Sequence, residues 1–203
     1  MTPITSEALR AALTAPFVPG EALDLTRRRV TGPVDLCGLT LSGFDLSGSV
    51  FEHNLDLSGA TCLGLTWLKA CHFTAGLRGS ETVFGHDLRL DGSDIYGDLN
   101  LRGAEMCGTL VLDDATLDGT TDLRDVQALS SLSCARAVFR GDVDMSGAEC
   151  LGGVWADSAC FESHVTALQT EVHGRTWLRN MRVGGPSPSH FQTQLVTYGY
   201  LWE

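Results

Sequence analysis

Six histidines and seven cysteines are the side chains best suited to chemistry in this 203-residue chain. The histidines stand at 53, 72, 86, 164, 173 and 190, and the cysteines at 37, 62, 71, 107, 134, 150 and 160. No two cysteines are spaced C-x-x-C, and none sits beside a histidine at zinc-ligand spacing. No two histidines share a ladder with a carboxylate at an evident triad or metal spacing. Phosphate-cradling glycine loops of the GxGxxG or GxxxxGK[ST] kind are absent from the sequence. These residues therefore predict neither a catalytic centre, nor a metal site, nor a cofactor. The thiols read as reduced, small apolar filler.

The elements that would position them come from a longer regularity. From Leu46, steps of five and six residues in alternation land on Phe51, Leu57, Cys62, Leu68, Phe73, Gly79, Phe84, Leu90, Ile95 and Leu101. They continue through Met106, Leu112, Leu117, Leu123, Ala128, Cys134, Phe139, Met145, Cys150, Ala156, Phe161, Ala167, Val172, Leu178 and Val183. Only Gly79 on this path is neither apolar nor aromatic. At a period of 22, Phe51, Phe73, Ile95, Leu117, Phe139, Phe161 and Val183 form one set. Two places earlier stand Ser49, Cys71, Ser93, Ala115, Ala137, Ala159 and Met181, so large side chains keep phase with mostly small ones. Neither a helix nor a plain strand makes residues five or six apart equivalent. A chain that turns a corner after each short extended segment does, and four corners make one coil of about 22 residues. "LRLDGSDIYGD", "LNLRGAEMCGT" and "LVLDDATLDGT", at 88–98, 99–109 and 110–120, are consecutive half-coils. Glycines in "GSDIYG" and "GAEMCG" are expected at the corners, where positive φ is cheapest.

The tandem blocks of a small residue followed two places later by Leu, Phe or another apolar residue ("ATC", "SDI", "AEM", "ATL", "AVF", "AEC", "ACF") resemble those of pentapeptide-repeat proteins. The resemblance covers roughly residues 23 to 183. It implies an all-β, right-handed quadrilateral β-helix, here of about seven coils with a rod length on the order of 35 Å. Residues 1–20 carry a short helix signal, with Thr5 or Ser6 as cap and Pro16 and Pro19 as stops, and read as a cap on the open end. Residues 21–183 form the solenoid. Residues 184–203 read as a "GGPSPS" linker and an irregular or strand-like aromatic tail. Tyr198, Tyr200 and Trp202 alternate there and would share one face of a strand.

With the core filled, function falls to the exterior. The residue before each landing site points outward and forms columns. One reads Asp56, Arg78, Asn100, Asp122, Asp144; another reads Thr61, Val83, Glu105, Gln127, Glu149, Glu171; a third holds Trp67, Arg89, Val111, Ser133, Trp155 and Trp177. Contiguous exposed aromatics mark contact surfaces. The net charge of −11, with Lys69 the one lysine, argues against nucleic acid as a direct ligand, because phosphate contacts need clustered Lys and Arg. It permits mimicry of DNA at roughly half the duplex charge density. The family resemblance implies one specific form of this, an acidic dimer that binds a DNA gyrase-type topoisomerase and shields it from inhibitors.

The leading expectation is a non-catalytic protein-binding scaffold using Trp67, Trp155, Trp177, Glu105, Glu149, Glu171, Asp122 and Asp144. The second is a recognition or leader module that presents "VTYGYLWE", with Tyr198, Tyr200 and Trp202, to a peptide-modifying enzyme. A homodimer through the tail is expected. The lack of a long apolar run and of a basic-then-apolar N-terminus predicts a cytoplasmic location with no membrane partner.

Overall fold

The computed structural model describes residues 1–184 and 188–202. Its strands are two to four residues long, and in most of the regular ones an inward residue stands beside an outward one. A stretch this short cannot bury a face alone; it is stabilised by like stretches in the coils before and after it. His72-Phe73 pairs in parallel with Val50-Phe51 on one side and Asp94-Ile95 on the other. Repetition of that register builds four parallel sheets of nine, nine, seven and eight strands around one core. We name the faces by their most telling residues. In chain order these are the Phe face (Phe51), the Asp face (Asp56), the Glu face (Thr61, leading to Glu171) and the Trp face (Trp67). The protein is an all-β, four-faced parallel solenoid, and no helix among the described residues is long and apolar enough to cross a membrane.

The core follows the large–small phasing of the sequence. Phe51 stacks on Phe73 and Phe139 on Phe161, both pairs with centroids 4.7 Å apart, and all four rings are buried. Each ring so buried contributes on the order of 2 kcal/mol from lost water contact alone. Ser49, Cys71, Ser93 and the alanines beneath leave the space the rings fill. The buried hydroxyls among these small residues are satisfied: Ser93 Oγ donates to the Leu68 carbonyl at 2.7 Å and accepts from the Cys71 amide at 3.0 Å.

The corners alternate in kind. Every five-residue step turns through one residue at positive φ, as at Gly92 (φ 67°) and Gly103 (φ 66°), but also at Asp114 (φ 57°) and Asp125 (φ 58°). The second glycine of each six-residue block has another cause. Gly97 is not at positive φ; a Cβ there would overlap the carbonyl of Ala75 in the preceding coil. The expectation that both glycines serve backbone conformation holds for the first alone. The second is required by backbone packed on backbone.

Nine-stranded sheets give about nine turns rather than seven, because both ends add coils that fall outside the regular period. Thr2–Thr5 pairs with Arg28–Thr31, a longer return than that from Thr66 to Leu88 in the regular part. Leu195–Thr197 pairs with Thr170–Val172, again across a lengthened coil, and Leu201-Trp202 continues the Trp face. The solenoid therefore does not stop at Val183; its phase changes. In each end coil a short helix follows a Phe-face strand, α1 (Ser6–Leu13) and α2 (Pro188–Gln192). Thr5 caps α1 by accepting the Ala8 amide at 3.2 Å, and Leu9 and Leu13 seal the first coil. Buried Phe191 of α2 covers Phe161 at the other end, 6.1 Å between centroids. Of the expected "GGPSPS" linker, residues 185–187 lie outside the described residues.

Candidate functional site

The outward columns stand in the predicted register, yet they differ in what remains free. On the Asp face the carboxylates are structural. Asp35, Asp56, Asp122 and Asp144 each accept the amide two residues on, at 2.9–3.1 Å, and so fix the corner. Arg124 makes a two-pronged pair with Asp122 at 2.9 and 2.6 Å and reaches towards Asp144 at 3.9 Å. The Arg124 hydrogen bonds hold the Asp122 carboxyl below the usual range. Further cross-coil pairs join Arg136 to Asp114 and Arg140 to Asp118. Part of the acidic surface is thus spent internally.

The Trp face carries the expected column, with one addition and one separation. Trp155 stacks on Trp177 at 6.0 Å, and Trp177 on Trp202 of the tail at 5.3 Å, with interplanar angles of 22° and 20°. Trp67 stands apart, four coils away behind Arg89, Val111 and Ser133, with the Lys69 ammonium 4.3 Å over its ring. The tail rings do not share one face, contrary to expectation. The chain turns a corner between Leu195–Thr197 and Leu201-Trp202, with Gly199 packed against Gly174. Tyr198 consequently stacks on His173 (4.7 Å, 18°), Trp202 joins the tryptophan ladder, and Tyr200 points to solvent at 76% exposure.

On the Glu face, Glu105 is exposed and separated by Gln127 from Glu149, whose strand neighbour is Glu171. His173, at the corner between the Glu and Trp faces, brings Nε2 to 3.3 Å from Glu149 and 3.4 Å from Glu171. This set has one histidine and two carboxylates, a grouping that an expectation framed on paired histidines does not cover. Glu149 lies a full coil before its neighbour Glu171, so a scan for local motifs passes over the set; the column that holds Glu149 beside Glu171, extended by two residues, reaches His173. Two looser pairs, His72 with Asp94 and His164 with Asp142, lie at 3.7 Å.

The thiols are where the register put them. Cys62, Cys71, Cys134 and Cys150 are buried, Cys37 and Cys107 exposed and Cys160 half-buried, and all seven are free. Desolvation of the Cys37 sulfur, with the Asp35 and Asp56 carboxylates beside it, pushes its pKa up to about 12. That is the reverse of what a nucleophile needs. A surface depression on the Asp face is lined by Asp122, Arg124, Asp142, Asp144 and His164. What stands out is the C-terminal end, which carries the Trp155–Trp177–Trp202 ladder on the Trp face and, on the neighbouring Glu face and its corner, the group of Glu149, Glu171, His173 and Tyr198.

No family model, curated protein or solved structure matches the chain. Its own geometry places it among parallel β-solenoids, with coils recurring at the interval that separates His72 from its strand neighbours Val50 and Asp94.

Proposed function

We propose that this protein is a non-catalytic, protein-binding scaffold of the pentapeptide-repeat kind, and that the aromatic–glutamate end is its working surface. The observation that carries this reading is the ladder of Trp155, Trp177 and Trp202, three half-buried or exposed rings in register on three successive coils. Side chains that serve the core alone have no reason to be tryptophan here, since equivalent outward positions hold Ser133 and Val111. Tryptophans at interface centres commonly contribute about 2 kcal/mol or more each. Chemical cross-linking in the native cell with tagged wild type, Trp177→Ala and Asp122→Asn/Asp144→Asn tests it. A partner lost with Trp177→Ala and kept with the double aspartate variant supports the reading; a partner indifferent to Trp177→Ala sinks it.

DNA mimicry of a gyrase-type topoisomerase is the acidic variant of the same class. Its support is the net charge of −11; the ion-paired and corner-fixing aspartates count against it. Gyrase supercoiling with added protein decides it: an outcome with no inhibition and no protection removes the idea. Presentation of the tail to a modifying enzyme draws on the exposure of Tyr198 and Tyr200. Because Leu195–Thr197 and Leu201-Trp202 are paired into the solenoid, that use requires the last coil to peel away. An unmodified, uncleaved native mass would end it. A homodimer through the tail would use the open outer edges of those two strands, and light scattering of the full chain reads it directly.

A further inference from the structure

Glu149, Glu171 and His173 each bring one donor atom to a common spot, all within 4.8 Å of one another. We propose that they form a binding site for a divalent transition-metal ion of the zinc class.

The distances fit an ion better than a hydrogen bond. His173 Nε2 lies 3.3 Å from Glu149 Oε1 and 3.4 Å from Glu171 Oε2. A good N–H···O bond is shorter, about 2.9 Å, and one Nε2 proton shared between two acceptors makes only a weaker three-centre contact. Two ligands each about 2.1 Å from a tetrahedral zinc are about 3.4 Å apart. The two histidine–carboxylate spacings match that edge. The coil register adds a reason for a cation: it holds Glu149 and Glu171 as direct cross-strand neighbours, and like charges so placed repel. The imidazole is also held ready. Tyr198 stacks on the His173 ring at 4.7 Å and 18°, fixing its plane while leaving Nε2 turned towards the carboxylates.

The donor set selects the ion. One imidazole and two carboxylates suit zinc and its neighbours, whereas magnesium and calcium prefer all-oxygen ligands. Three protein ligands leave one position for water or for a donor from a partner. Bound there, the ion ties the coil of Glu149 to that of Glu171 and, through the His173–Tyr198 stack, braces the tail coil. This site holds or fails independently of the tryptophan ladder.

The test is calorimetric titration of Zn²⁺ into the full chain carrying Cys37→Ser, Cys107→Ser and Cys160→Ser, which removes competing thiols. One ion per chain is expected. Glu149→Gln and Glu171→Gln should each weaken it about tenfold or more, comparable with losses on disturbing metal sites. His173→Phe, which keeps the ring stack but lacks the donor, should abolish it, and His164→Ala should change nothing. Hydrogen exchange of residues 195–202 should slow on adding Zn²⁺ in the parent and not in His173→Phe. The Glu149, Glu171 and His173 side chains are each more than a third exposed, so the fold tolerates their replacement. Absence of saturable uptake, or uptake that persists in Glu149→Gln and His173→Phe, overturns the proposal.

Discussion

Two glycines in "GSDIYG" look alike in the sequence and should respond to alanine very differently. Gly92 sits at φ 67° with nothing within 4 Å of a built Cβ. Alanine there meets only the left-handed penalty of about 1–2 kcal/mol, offset by about 0.4–1 kcal/mol from a stiffer unfolded chain. The net loss is about 0–1.6 kcal/mol, in line with Asp114 and Asp125 occupying the same corner at φ 57° and 58°. Gly97 faces the Ala75 carbonyl instead, and backbone cannot step aside like a side chain. Room for a methyl must come from parting two coils. That strains the bonds from the Tyr96 amide to the Phe73 carbonyl and from the Leu77 amide to the Asp98 carbonyl, both 3.0 Å. Overpacking of about 1–3 kcal/mol and the two weakened hydrogen bonds at about 1 kcal/mol each give a loss of about 3–5 kcal/mol. At about 2–4 °C per kcal/mol, Gly97→Ala should lower Tm by roughly 10 °C, against a few degrees for Gly92→Ala. Paired thermal and urea unfolding of the two variants measures this. A Gly97→Ala protein no less stable than Gly92→Ala would refute coil-on-coil backbone contact.

Thr121 has a buried hydroxyl with no partner between Leu99 and Val143, so Thr121→Val should stabilise the protein by about 1 kcal/mol in urea unfolding. Phe73→Ala should cost about 3–5 kcal/mol, and Phe73→Leu under about 1.5 kcal/mol because Ile95 and Leu117 already share its column; equal losses would count against the stack. The carboxyls of Asp122, Asp114 and Asp142 are depressed by hydrogen bonds from Arg124, Arg136 and Ser163 respectively. Folded values below unfolded ones mean stability that is complete above the ordinary aspartate range and lost as pH falls through the folded values. Acid titration by circular dichroism should show that loss below about pH 4, and Asp122→Asn should flatten it. Thiol labelling of the native chain under mildly alkaline conditions should modify Cys107 well before Cys37, although both are exposed, because Cys37 is held at about 12.

The fold is legible in the sequence because one rule, five residues and then six, repeats with little interruption. Such a rule specifies coil, register and outward columns together, down to Phe51 over Phe73 and Trp155 beside Trp177. It fails where the rule changes. The end coils are longer than the rest, since α1 and α2 stand where strands would be, and the tail therefore reads as loose chain. Gly97 reads as a turn residue because sequence cannot distinguish a glycine needed for φ from one needed for a neighbour's carbonyl. The site is half visible: Trp155, Trp177, Glu149 and Glu171 stand out by column, while His173 has no partner close to it in a local motif. Its partners come together only because a full coil of chain returns to the same corner.

The protein is a solid column in which each regular coil, and the longer tail coil after them, advances one strand spacing. Spin labels at Thr61 and Val196 test this most directly, with Cys37, Cys107 and Cys160 replaced so that no outward thiol competes. The two sites share the Glu face and are separated by six pairing steps, through Val83, Glu105, Gln127, Glu149 and Glu171. At about 4.8 Å per step the dipolar distance should be one narrow peak near roughly 29 Å. A broad distribution, or a peak far from that value, would contradict the stacked column and the tail's place as its last coil.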